Sequence, residues 1–116
     1  MYLFILMLFA NLTRKNFINT KNRFNLQELV QVHHIIPLEW KNHKKLSNFN
    51  INSGYNLIFL PTKLGKSKIN TDRRVHDGGH RDYNRYVLIK LNEADDPFKL
   101  VNELRSDILN NNEIPW

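Results

Sequence analysis

The apolar positions of this chain fall into blocks with different spacings. Tyr2 to Ala10 is a nearly unbroken apolar run. It is far too short to cross a bilayer, so no stable membrane insertion is expected. No basic residue precedes it and no small-x-small site follows it. A buried strand or helix is therefore the preferred reading over a secretory signal. Asn11 to Asn25 is polar, with Phe17, Ile18 and Phe24 as the expected anchors onto a core. Leu29 to Ile36 is rich in Val, Ile and Leu and predicts a strand that Pro37 ends. Leu38 to Asn52 is polar and basic and predicts a loop, with a helical turn as an option at Leu38-Glu39-Trp40. Asn56 to Leu60 predicts a second strand, set between Gly54 and Pro61. Lys63 to Arg74 predicts a basic loop.

The spacing then becomes helical. From about Gly79 to Asn92, Tyr83, Tyr86, Val87 and Leu91 share one face, and Asp77 is a candidate cap. A last helix is marked by Asp96 as N-cap and Pro97 at the first position. Phe98, Val101, Leu104 and Ile108 make its apolar stripe, which docks it onto the core. The order strand, strand, helix predicts an α+β fold. Its core spans 29–92, an apolar and polar extension covers 1–28, and a C-terminal helix and tail cover 93–116.

With 116 residues this is one small domain. Its 17 Lys+Arg outnumber 11 Asp+Glu, a net charge of +6 that suits a polyanionic partner, either nucleic acid or an anionic membrane. Cysteine is absent, which excludes disulfides and thiolate zinc sites. Any metal must use His, Asp, Glu or Asn.

Two histidine pairs carry the candidate chemistry. His33 and His34 are adjacent on the first strand; His76 and His80 flank Gly78-Gly79 at the start of the long helix. Two His four apart at a helix start can share one ion, and the glycines would let the backbone bend until both rings converge. Adjacent side chains on a strand point to opposite faces. One of His33 and His34 can thus bind an ion while the other reaches a substrate. Either pair alone is more simply structural. Together, bracketing an Asn-containing strand, they indicate three ligands and one base.

Val32-His33-His34-Ile35-Ile36-Pro37, Asn56 with Leu60-Pro61, and His76-x-Gly78-x-His80-x-x-Tyr83-Asn84 strongly resemble the AHH branch of the HNH/endonuclease VII nuclease superfamily. The resemblance covers about Leu29 to Leu91. It departs at Val32, where that branch usually has Ala. It implies a ββα-metal core around one divalent ion, with His33, His76 and His80 as ligands. It also implies that His34 is the general base and that Asn56 orients it by hydrogen-bonding the backbone of its loop. Asn50 and Asn52 are alternatives for that Asn role.

Such a protein would be a metal-dependent, weakly sequence-specific endonuclease that leaves a 5′-phosphate and a 3′-hydroxyl. DNA is the expected substrate ahead of RNA. Zn or Mg is the expected ion, with Ni or Mn as alternatives. Lys63, Lys66, Lys68, Arg73, Arg74, Arg81 and Arg85 form the expected nucleic-acid surface. A toxin of this type would need an immunity protein, of which the sequence has no mark. An intracellular location is favoured, with secretion an option if Met1 to Ala10 belongs to a signal. The rival reading is a catalytically silent nucleic-acid-binding module. There His34 would join the other three His on a closed structural zinc.

Overall fold

The computed structural model describes residues 13–76 and 78–116. The expected apolar segment Met1 to Ala10 and the candidate cap Asp77 lie outside these residues. The described fold is α+β, with four α-helices around a two-stranded antiparallel sheet.

Helix α1 (Arg14–Arg23) begins with a capping box. Thr13 accepts from the Asn16 amide, and Asn16 returns a bond to the Thr13 N–H. Its sequence is polar, and its docking residue is Phe17, whose ring lies 4.8 Å from that of Phe59. Ile18 is half-buried. Phe24 does not anchor the segment: it is 40% exposed at the helix end, beneath the Arg23 guanidinium.

Strands β1 (Val30–His34) and β2 (Leu57–Pro61) pair from Val30↔Pro61 to His34↔Leu57. The strand residues alternate between two faces. Leu57 and Phe59 pack with Phe17, Leu26, Val30 and Ile69 on one side. Ile58 and Leu60 face the larger core on the other, with Tyr83, Val87, Leu91 and Leu104. Strand β2 is thus buried along its whole length.

The segment expected to be a basic loop after β2 instead starts with a helix, α2 (Lys63–Lys68). The Thr62 hydroxyl caps it by accepting from Gly65 N and donates to Glu28 O. Gly65 lies against the backbone of Leu29: a Cβ there would sit 1.8 Å from Leu29 O. Only glycine admits that approach.

Helix α3 (Arg81–Glu93) buries Tyr83, Val87 and Leu91, and Tyr86 is partly buried. Its N-cap position is held by His80, with no side-chain cap bond. Helix α4 (Pro97–Leu109) is capped by Asp96, which accepts from Phe98 N. It buries Leu100, Val101, Leu104 and Ile108, while Phe98 packs its ring on Phe49 and Tyr55 at the rim. The long polar connection between β1 and β2 holds short 3-10 turns at Leu38–Trp40 and Lys44–Leu46. It also delivers Leu46, Phe49 and Ile51 to the core.

Candidate metal and catalytic site

His33 sits on β1 with its side chain turned toward α3, and it is 4% exposed. Its ring stands edge-on to Tyr83 at 5.1 Å. The Tyr83 hydroxyl donates to Ile35 O at 2.5 Å, which ties α3 to the residue following the histidine pair. Burial pushes the Tyr83 hydroxyl pKa up, so it stays a donor.

His76 is brought in by the return of the chain to the hairpin, where its N–H bonds Pro61 O at 2.8 Å. The backbone then reverses through Gly78, at φ +91. That left-handed conformation suits glycine and meets the expectation that the glycine pair bends the chain. His80 follows as the N-cap residue of α3. The His33 ring is 5.3 Å from His76 and 5.2 Å from His80, and the latter two are 4.3 Å apart.

One nitrogen from each of the three rings lies within 4.8 Å of the others. A group of this composition and spacing can hold one metal ion. His33 Nε2 is buried with no hydrogen bond, the state of a donor prepared for a ligand bond rather than for the core. Burial holds the His33 pKa well below the usual imidazole value, and the charges of His76 and His80 add to this. The ring is therefore neutral, as a metal ligand must be.

His34 points the other way and is half-buried. It nevertheless lines the same cleft of about 210 Å³ as His33, His76, His80 and Asn84. Its Nε2 lies 2.8 Å from Asn52 Oδ1. An amide oxygen can only accept, so Nε2 carries the ring proton and Nδ1 is the bare nitrogen. Burial lowers the His34 pKa, the Asn52 bond works against this, and the positive charge of Arg14 lowers it further.

Asn56 is fully buried and acts on the backbone. Its Oδ1 accepts from Ile36 N at 2.7 Å, and its Nδ2 donates to Ile36 O at 3.0 Å and Ile51 O at 2.9 Å. Its own carbonyl accepts from Ile35 N. One side chain thus joins the strand end carrying His34 to the turn carrying Asn52. The two nearby asparagines divide the work: Asn56 holds the backbone and Asn52 holds the imidazole.

The expected basic surface divides. Lys63, Lys68, Arg81 and Arg85 are exposed. Lys66 is exposed but bonds Thr71 O and Arg73 O, closing its own loop. Arg73 does not belong to the surface. It is 6% exposed and donates to Phe59 O on the hairpin. Burial, with the charge of Arg105 second, lowers its pKa to about 10, so it is cationic at neutral pH. Arg74 is held as well, bonding Asn112 O and stacking over Trp116. His43 is structural, since it bonds Asn92 and accepts from Lys45 N.

The site also includes Trp116. Its ring centroid lies 4.6 Å from His80, 5.1 Å from His33 and 5.2 Å from Tyr83. Its Nε1 donates to Val75 O, beside His76. The C-terminal tail thereby forms a wall of the three-histidine group. Its sequence carries no local signal for this.

The geometry can be set beside known proteins. A model of the AHH nucleases, a nuclease family of the HNH/endonuclease VII superfamily with a conserved AHH, matches residues 14–112. The chain belongs to the AHH nuclease family. The match reaches beyond Leu29–Leu91 on both sides, taking in α1 and α4. In this AHH protein Val32 fills the Ala position, partly buried against the α1-side core. No curated protein and no solved structure matches the chain. Nuclease activity, and hence a nucleic-acid substrate, follow from the family. Among the described residues no helix is long and apolar enough to cross a membrane.

Proposed function

We propose that this AHH nuclease is a metal-dependent endonuclease of low sequence specificity, acting on DNA in preference to RNA. The observation that carries the reading is the group of three histidine nitrogens within 4.8 Å, in a cleft shared with a fourth histidine outside the group. His33, His76 and His80 would hold one divalent ion. Three neutral imidazoles leave a position open for a phosphate oxygen, and the ion would offset charge on the phosphate and on the leaving 3′ oxygen. Zn is favoured by the all-imidazole donor set, with Mg, Ni and Mn as alternatives.

His34 is the general base. With Nε2–H on Asn52, Nδ1 takes a proton from the attacking water as its oxygen bonds to phosphorus. The bond from phosphorus to the 3′ oxygen then breaks, that oxygen takes a proton from solvent water, and His34 returns its own proton to solvent. The products are a 5′-phosphate and a 3′-hydroxyl. Asn56 keeps the base in register with the ligands through the backbone of Ile36. Arg81 and Arg85 supply phosphate contacts from the helix that begins beside His80, joined by the exposed Lys63 and Lys68.

The closed four-histidine zinc module is less well supported, because His34 is engaged by Asn52 and not by the other three histidines. The deciding experiment is supercoiled plasmid cleavage by metal-stripped protein, with Mg²⁺, Mn²⁺, Zn²⁺ or Ni²⁺ added back, beside His34→Ala. Ion-dependent nicking should drop by on the order of 10²–10⁴ in the variant. Folded protein that binds nucleic acid but cleaves neither DNA nor RNA with any ion would overturn the reading. An unchanged rate in His34→Ala would overturn the assigned base.

A further inference from the structure

A second, larger cavity of about 480 Å³ opens on the α1 side of His34, lined by Arg14, Lys15, Ile18, Asn19, Asn50 and Asn52. Its volume lies in the range of sites for small organic ligands. Two cations and three amides line it, and no described carboxylate does. Phosphate favours the first of these, and the edges of bases favour the second.

The cavity is tied to the catalytic cleft through one residue. Asn52 Oδ1 takes the His34 Nε2 bond, and Asn52 O accepts from Arg14 N at 2.8 Å. A bridge between Thr13 and Ser53 fixes the start of α1 there. Arg14 and Lys15 are exposed, and their side chains make no hydrogen bond to a described residue.

The lysines of α2, by contrast, leave the opposite end of the hairpin. Val30 pairs with Pro61 there, whereas His34 pairs with Leu57. Four strand steps at about 3.4 Å put these ends roughly 14 Å apart. The lysines of α2 therefore leave the hairpin at the end away from His34, whereas Arg14 is tied to its partner Asn52.

Building on the endonuclease reading, we propose that this cavity is a substrate subsite. It takes the nucleotide next to the scissile phosphate, with Arg14 and Lys15 on its phosphodiester and Asn19 and Asn50 toward its base. A strand lying across His34 would then pass from the three-histidine cleft into this cavity. The asparagines offer tolerant contacts rather than a paired readout, in keeping with low sequence specificity.

The test is anisotropy of a labelled oligonucleotide bound to the full chain in the His34→Ala background, across a salt series. The ion present is the one that supports cleavage, or Zn²⁺ if none does. Arg14→Ala with Lys15→Ala should weaken binding roughly tenfold at low salt and lower the slope of log K against log salt by about one per lost contact. Arg14→Lys with Lys15 intact should keep the slope. Lys63→Ala with Lys68→Ala should have the smaller effect. Asn19→Ala, an exposed change, gives a second handle that leaves both charges in place, and it should weaken binding without altering the slope.

Unchanged affinity and slope in the Arg14/Lys15 variant, with an unaltered melting temperature, would overturn the subsite while plasmid cleavage by the native chain upholds the enzyme. Lost binding in that variant, with no cleavage by the native chain, would uphold the subsite and overturn the endonuclease. A native chain that binds no oligonucleotide overturns both.

Discussion

Replacing Asn56 tests the link between backbone and base most sharply. The side chain makes three buried hydrogen bonds, one accepted from Ile36 N and two donated, to Ile36 O and Ile51 O. Asn56→Ala removes all three and leaves those backbone groups buried. Each bond contributes about 0.5–1.5 kcal/mol net, and each abandoned buried group costs about 1–3 kcal/mol, so a loss of roughly 3–5 kcal/mol is expected. That is a large share of the ~5–15 kcal/mol available to a small domain. Asn56→Asp is the stronger test. It is nearly the same shape and can still accept from Ile36 N. Its second oxygen, however, would meet the carbonyls of Ile36 and Ile51, with repulsion in place of two bonds. Asp should therefore be at least as damaging as Ala. Urea unfolding followed by circular dichroism measures the stability. Cleavage under conditions where each variant is folded measures the positioning of His34. A loss below about 1 kcal/mol in Ala, or a harmless Asp, would refute the clamp.

Other predictions rest on separate contacts. Asn52→Ala should lower the cleavage rate while leaving metal stoichiometry at one per chain, because Asn52 bonds His34, which stands outside the three-histidine group; a changed stoichiometry in metal titration would contradict this. Gly65→Ala should destabilise the fold by at least the ~1–3 kcal/mol of an overpacked site, since the obstacle is the Leu29 backbone; an unaltered thermal melt would contradict the contact. The metal-stripped protein should lose stability in acid. The folded state resists a proton at His33 that the unfolded chain accepts, so stability is intact above about pH 6.5 and falls as pH drops toward the lowered folded value. Equal melting temperatures at pH 7.5 and pH 5 would count against a buried neutral His33. His76→Ala or His80→Ala should abolish tight metal binding, as read by equilibrium dialysis.

The placement of the histidines is more legible in the chain than the structure that supports it. Alternation along a strand is enough to send His33 and His34 to opposite faces, and glycines beside His76 and His80 announce a bend. Asp96-Pro97 marks α4 by local rules alone. Helix α1 escaped notice because its residues are polar and asparagine-rich, and its start rests on the Thr13–Asn16 exchange rather than on an apolar stripe. The loop from Leu38 to Asn52 hid three core residues among lysines and asparagines, with no period to reveal them. Arg73 looked like its cationic neighbours; only the return of the chain to Phe59 buries it. Asn52 and Trp116 reach the histidines across 18 residues and more, and no local pattern encodes such contacts.

The tail wall at the metal group has an optical consequence. The chain has two tryptophans, and one of them, Trp116, lies with its ring about 5 Å from the imidazoles of His33 and His80. Its indole is thus a resident sensor of whatever occupies that group. Open-shell ions such as Ni²⁺ or Co²⁺ should quench its emission, whereas closed-shell Zn²⁺ should only shift it. With Trp40→Phe removing the second emitter, occupancy could be followed in real time on the unlabelled protein, with no substrate added.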